Sequence, residues 1–111
     1  MSIQVSEKNG IVIIQLSGKI MGGPEASEIN NQINNLIDQE KIKIIIDMKD
    51  VDWVNSSGLG ILIGAITTLK NNNGQLSLIN ISDRVENLLK ITKLQSLFNI
   101  QPDLDSAIAS L

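Results

Sequence analysis

The sequence feature that most constrains the fold is the run Ile42-Lys43-Ile44-Ile45-Ile46, which is short, β-branched and almost continuously apolar. A strand with one face in water alternates apolar and polar residues, whereas a strand covered on both faces reads as a nearly unbroken apolar run. The run therefore predicts a central strand of a parallel sheet with structure packed on both faces. We expect this strand to end at Asp47.

The segments before this run give a hairpin and then a helix. Asn9-Gly10 separates two apolar stretches, and this dipeptide predicts a tight turn because both residues tolerate positive φ. A helix is predicted from about Pro24, which suits a first helical turn, to about Gln39. The apolar stripe of that helix is Ala26, Ile29, Ile33, Leu36 and Ile37.

The second half of the chain continues the alternation of strands and helices. We predict a second helix over roughly 57–71, a strand over 75–79 and a third helix from Ser82-Asp83. Residues 94–100 predict a short strand or a turn, and 102–111 a last short helix. The whole pattern predicts one α/β domain over residues 1–111, with a mixed four- to five-stranded sheet, an N-terminal antiparallel hairpin and covering helices.

Composition excludes several classes of function. The chain has no histidine and no cysteine, so it lacks the commonest general base, the commonest transition-metal ligand and any thiolate nucleophile. Its net charge is −3, and no basic run offers a face for nucleic acid. No signal-peptide pattern or membrane-length apolar run is present. We therefore expect a cytoplasmic binding module without cofactor or metal, not an enzyme and not inserted in a membrane.

The second helix has two different faces. Leu59, Leu62, Ile63, Ile66 and Leu69 form the stripe expected to pack on the sheet. The opposite sector lacks charge, and its small and apolar residues suggest close approach by another surface. That sector consists of Ser57, Gly60, Ile61, Gly64, Ala65 and Thr68. The alternative is that a neighbouring helix of the same domain lies across it.

The turn Asn55-Ser56-Ser57-Gly58 precedes this helix, and it admits two interpretations. As a structural element, Asn55, Ser56 or Ser57 would cap the unpaired amides of the helix N-terminus. As a functional element, Ser56 would accept a phosphoryl group, whose charge of about −1.5 to −2 is tolerated near the positive end of the helix dipole. Ser56 cannot itself act as a catalytic nucleophile, because no histidine is available to activate it. Trp53, the single tryptophan, is predicted to be a core residue.

Three carboxylates near the end of the central strand suggest a further alternative. Asp47, Asp50 and Asp52 are of a type that binds Mg²⁺ or accepts phosphate, as in response-regulator receivers. Receivers are also expected to carry an acidic pair after an earlier strand, and residues 11–18 contain none. A solvated loop explains the three carboxylates better.

The same region carries a family resemblance. The segment from Ile44 to Gly60 resembles the signature of STAS-domain anti-sigma factor antagonists, and Ser-Ser-Gly-Leu-Gly at a strand-to-helix junction is its most specific part. The strand at 74–78 and the following segment 84–94 are similar to that family as well. The resemblance thus covers nearly the whole chain and implies a STAS-like fold.

The resemblance also implies a function. In that family the first serine of the motif is phosphorylated by a partner GHKL-type serine kinase that doubles as an anti-sigma factor, and a PP2C-type phosphatase reverses the modification. The unphosphorylated protein binds the kinase and frees the sigma factor. Carried over, the acceptor is Ser56, with Ser57 as the second candidate. The implied partner-binding residues are Asn55, Ser57, Gly58, Gly60, Ile61, Gly64, Ala65 and Thr68.

One position departs from the family pattern. Many regulated members have aspartate immediately before the acceptor, and this chain has Asn55. An amide can cap a helix, but it supplies no negative charge and accepts no proton. The alternative function is therefore a STAS subunit that is never phosphorylated and serves as a fixed interaction module in a transporter or signalling complex.

Overall fold

The computed structural model describes residues 2–111, and for Glu25 and Ala26 it describes the backbone alone. The strands form one sheet in the order β1-β2-β3-β4-β5, with β1 antiparallel to β2 and every later pair parallel. This arrangement confirms the predicted α/β class and mixed sheet. In chain order the elements are β1 (Ser2–Lys8), β2 (Ile11–Ile20), α1 (Pro24–Asp38), β3 (Lys43–Val54), α2 (Ser56–Asn71), β4 (Gln75–Ile79), α3 (Asp83–Ile91), a 3₁₀ turn (Gln95–Leu97), β5 (Asn99–Gln101) and α4 (Leu104–Ser110).

The N-terminal hairpin has the predicted two-residue turn. Lys8 pairs with Ile11 across it, and Asn9 and Gly10 have φ values of 55° and 77°. Positive φ at both central positions matches the right-handed twist of the flanking strands, which is why Asn-Gly is suited to this turn. The hairpin is therefore confirmed.

The central strand β3 is covered on both faces, as its apolar run predicts. Ile44 and Ile46 point into a large core cluster that includes residues of α1, α2 and α3. Ile45 points the other way, into a smaller cluster with Ala107 of α4. Ile29 and the other described stripe residues of α1 join the large cluster, whereas the side chain of Ala26, predicted in the same stripe, lies outside the described part.

The prediction that this strand ends at Asp47 is wrong, because β3 continues to Val54. Its pairing with β4 stops at Asp47, but its pairing with β2 continues to Val54 with two register shifts. Each shift places an extra β3 residue opposite β2, so the period-two pattern is interrupted and the segment resembles a polar loop. Trp53 therefore lies in the part of β3 that has no pairing with β4.

Candidate functional site

The turn between β3 and α2 is organised by Asn55. Its side-chain Oδ1 accepts a hydrogen bond from the amide of Gly58 at 2.7 Å, and its backbone carbonyl accepts the amide of Leu59 at 2.8 Å. Of the three candidate caps, the N-cap is therefore Asn55, and α2 begins at Ser56. The predicted start at residue 57 is one residue late.

Gly58 holds the start of α2 against the end of β2. A Cβ added to Gly58 would lie 1.9 Å from the carbonyl oxygen of Ile20. That carbonyl also accepts the amide of Asn55 at 3.3 Å. The glycine of the motif is thus explained by close backbone approach, since its φ is not positive. Its role as a surface contact, implied by the resemblance, is contradicted by its burial.

The two serines of the turn are both exposed, but they have different surroundings. Ser57 lies beside the loop that precedes α1, where a Cβ added to Gly22 would be 2.8 Å from the Cβ of Ser57. Ser56, the first residue of α2, instead lines a surface groove on the α3 side. Within residues 2–111, neither serine hydroxyl is hydrogen-bonded to a carboxylate.

The predicted outer face of α2 is partly wrong. Ile61 and Ala65 are only 6% and 0% exposed, and they belong to the same buried cluster as Ile29 and Ile33 of α1. Helix α1 packs on this side of α2, which is the alternative that sequence pattern left open. Helical spacing determines which residues share a face, but it cannot show that two layers, the sheet and α1, bury adjoining faces.

One face of α2 keeps contact with solvent, and we call it the outer face of α2. It consists of the exposed Ser56, Ser57, Gly60 and Thr67 and the half-buried Gly64. A Cβ added at Gly60 or Gly64 would meet no atom within 4 Å, so this surface is flat and open. It carries no charge. Thr68, at one margin of this face, is half-buried and donates a hydrogen bond from its hydroxyl to the carbonyl of Gly64 at 2.9 Å. Ile63, which was predicted to face the sheet, is half-buried at the other margin.

The prediction that Trp53 is a core residue is also wrong. Its side chain is 38% exposed, and the guanidinium carbon of Arg84 lies 4.9 Å from the ring centroid. The bulged end of β3 does not pair with β4, so the face of the Trp53 ring is open to Arg84 in the first turn of α3. A cation over an indole face is a favourable arrangement.

A groove of about 600 Å³ lies between this end of β3, the start of α2 and helix α3. One wall carries Trp53 and Ser56, and the other carries Arg84, Leu88 and Ile91. Ile91 is 79% exposed, the largest exposure among the described large apolar side chains. Sequence reasoning missed this groove; the signal was an isoleucine on the polar side of a short amphipathic helix. We call it the β3/α3 groove.

Asp47, Asp50 and Asp52 lie within β3, so the solvated loop expected for them is wrong, and they do not converge on one site. Asp47 accepts hydrogen bonds from the amide of Lys49 and the side chain of Asn80, at 3.0 and 3.1 Å. Asp50 accepts one from Gln15 at 3.1 Å. No group of acidic side chains suited to a metal ion occurs in the described part of the chain. Asp47 thus connects β3 with the residue that follows β4, and Asp50 is bonded across the pair of strands β2 and β3.

Within the described residues, no helix has the length and apolarity needed to span a membrane.

Comparison with known proteins places this arrangement of strands, turn and helices in one family. Residues 2–107 match the STAS domain family. The chain is similar to the anti-sigma F factor antagonist of Paenibacillus polymyxa, with 23% identity over 112 residues, covering 100% of this chain and 92% of that protein. It is also similar to the anti-sigma-B factor antagonist of Listeria monocytogenes, with 35% identity over 63 residues that cover 57% of this chain and 55% of that protein.

Solved structures show the same fold. An anti-sigma factor antagonist from Mycobacterium paratuberculosis superposes with a TM-score of 0.83 at 22% identity, covering 98% of this chain and 92% of that one. The Bacillus protein SpoIIAA in its phosphorylated form gives 0.74 at 22% identity, with 98% of each chain covered. Because the family match runs from β1 into α4 and includes the capped Ser-Ser-Gly turn, the chain belongs to the STAS domain family.

Proposed function

We propose that this protein is an anti-sigma factor antagonist that binds a GHKL-type serine-kinase anti-sigma factor through the 55–58 turn and the outer face of α2. Phosphorylation of Ser56 switches this binding off, and a PP2C-type phosphatase restores it. In this proposal the protein is a binding module and the partner is the enzyme. The names of the similar proteins from Paenibacillus polymyxa and Listeria monocytogenes support the antagonist role.

The observation that carries the proposal is the position of Ser56 at the edge of an open, uncharged surface. Ser56 is exposed at the first position of α2, and Gly60 and Gly64 follow it at one-turn spacing with no protein atoms above them. A partner surface can therefore approach the helix backbone closely and lie next to the Ser56 hydroxyl. Ser57 and Thr67 complete the contact surface, whereas Ile61 and Ala65 cannot take part because α1 covers them.

The chemistry of the switch fits the site. The kinase would transfer the γ-phosphoryl group of ATP to Ser56 Oγ, the hydroxyl proton would pass to a base of the kinase, and ADP would leave. The chain itself offers no histidine for that proton. The phosphoryl group adds about two negative charges next to an uncharged face and near the positive end of α2. We therefore expect loss of partner binding without loss of the fold.

Asn55 makes the switch testable by a single substitution. Aspartate at this position would keep the cap on the Gly58 amide and would add the charge found in many regulated members of the family. We expect Asn55→Asp to be phosphorylated by the partner kinase at least as fast as the natural chain. Asn55→Ala, which has no capping oxygen, is the matched control for the loss of turn geometry.

The direct experiment measures the intact mass of two samples. One is the protein isolated from its own cells, and the other is the purified protein after incubation with the kinase and ATP. Phosphorylation adds about 80 Da. We expect this increment in the natural chain and in Ser57→Ala, and its absence in Ser56→Ala. An increment that persists in Ser56→Ala and disappears in Ser57→Ala would move the acceptor to Ser57.

The alternative function predicts a different result. A STAS subunit that serves as a fixed interaction module carries no phosphoryl group in cells and gains none from the kinase. Its affinity-purified complex would contain transporter or signalling subunits in place of a GHKL-type kinase. That pair of results would overturn the proposed switch.

A further inference from the structure

Arg84 lines the β3/α3 groove and has no acidic partner among the described side chains. Its guanidinium stacks on Trp53, and within residues 2–111 the described ion pairs are Lys41 with Glu7 and Lys90 with Glu86. Asp52 lines a neighbouring hollow with Arg84 but is not paired with it. The donors of Arg84 are therefore available to an anion that reaches the groove.

Ser56 lies along the same groove as this cation. Arg84 and Ser56 line the same groove, and Trp53, over which the guanidinium lies, is three residues before Ser56. The Cα atoms of Trp53 and Ser56 can be at most about 10 Å apart, because three residues of chain connect them. The arginine side chain can also rotate about several single bonds. A phosphoryl group on Ser56 Oγ would therefore lie at the groove that Arg84 also lines.

We propose that Arg84 binds the phosphoryl group of phosphorylated Ser56, and that it leaves the face of Trp53 to do so. This inference rests on the proposed function, since it names the residue that recognises the modified state. A guanidinium donates two parallel N–H bonds to two phosphate oxygens, and such charge-assisted pairs are stronger than stacking at an exposed site. The bound pair would bridge α2 and α3 across the mouth of the groove.

This bridge gives phosphorylation a second consequence beyond added charge. Leu88 and Ile91 form the apolar wall of the groove, and Ile91 is 79% exposed in the unmodified protein. A phosphoserine–arginine pair at the mouth restricts access to that wall. Phosphorylation would therefore change the surface on the α3 side of the turn as well as the outer face of α2.

The test uses phosphoserine placed at position 56 during translation by genetic code expansion, so no kinase is required. Phosphorus NMR then follows the second pKa of the phosphate against pH. Arg84 stabilises the dianion, so we expect Arg84→Gln to raise this pKa by about 0.5 unit or more. Lys70→Gln is the control, because it removes the same charge from the far end of α2, about 20 Å away. Equal pKa values in the two variants would overturn the proposal.

Tryptophan fluorescence supplies an independent readout, since Trp53 is the single tryptophan. We expect the emission spectrum to differ between the phosphoserine and serine forms of the natural chain, and to differ clearly less between the two forms of Arg84→Gln, because only the natural chain can lose the cation from the indole face. A phosphorylation-dependent change of equal size in the natural chain and in Arg84→Gln would contradict movement of Arg84. The two proposals fail separately: absence of phosphate in cells removes the switch, whereas an unchanged phosphate pKa removes only the role of Arg84.

Discussion

The two sides of α2 show how one helix can serve both the core and the surface. On the inner side, Gly58 meets the backbone of β2, and Ile61 and Ala65 lie under α1. On the outer side, Gly60 and Gly64 have nothing above them. The same residue type is therefore required at Gly58 by contact inside the domain, whereas at Gly60 the domain places no such demand. A small residue in this helix indicates a partner surface only where the fold leaves it uncovered.

Substitution of glycines should give the largest difference in stability between the two sides of α2. Gly58→Ala places a Cβ 1.9 Å from the Ile20 carbonyl oxygen, so the start of α2 must move, and we expect a loss of about 3 kcal/mol or more in the free energy of unfolding. Gly60→Ala is the matched control, and we expect it to gain about 0.5 to 1 kcal/mol from helix propensity. Urea unfolding of both variants measures the difference in their free energies of unfolding. Similar values would show that Gly58 is no more constrained by the fold than Gly60.

A lysine introduced on each side of α2 should give the next largest difference in stability. Ile61→Lys places an ammonium group among apolar residues, and we expect it to lower the free energy of unfolding by about 3 kcal/mol. Thr67→Lys, on the exposed side of α2, should change it by about 0.5 kcal/mol or less. Thermal unfolding followed by circular dichroism compares them. If Ile61→Lys is as stable as Thr67→Lys, α1 does not cover this side of α2.

The cap at the boundary between the two sides should have a moderate effect. Asn55→Ala leaves the Gly58 amide without its acceptor, and we expect a loss of about 1 kcal/mol. Asn55→Asp keeps an acceptor oxygen at the same place and should remain within a few tenths of a kcal/mol of the natural chain. An equal loss in both variants would show that the amide group has a role besides capping.

The smallest effect on stability, combined with a large effect on binding, is expected at Ser56. Ser56→Asp places a carboxylate at the first position of α2, where the dipole favours it, so the free energy of unfolding should change by about 0.5 kcal/mol or less. We expect its affinity for the partner kinase, measured by calorimetry, to fall by a factor of ten or more, on the order of 1.4 kcal/mol. Ser56→Asn separates charge from size, because it should retain most of the affinity.

Much of the fold could be predicted from local signals in the chain. Asn9-Gly10 predicts its own turn because the required φ values are a property of those two residues. The run around Ile45 predicts burial on both faces because apolar periodicity directly reflects the number of covered faces. Strand β4 and the N-cap of α3 at Ser82 are predictable for similar local reasons.

The position of the candidate acceptor was also evident from the sequence, but its surroundings were not. Ser56 follows from the Ser-Ser-Gly pattern at a strand-to-helix junction. Trp53 was predicted to be buried because large aromatic side chains usually are. Its exposure depends on β4 ending before β3 does, which is a relation between strands distant in sequence.

The sequence by itself determined the order of the elements, the hairpin, the central strand and the turn that carries Ser56, because each depends on the conformational preference or periodicity of neighbouring residues. Tertiary structure alone decided which side of α2 faces solvent, why Gly58 is a glycine, and that Trp53, Arg84 and Ile91 share a groove beside Ser56. The physical reason is that burial depends on contacts between elements far apart in the chain, and helical spacing is the same whether α1 or water lies against the helix.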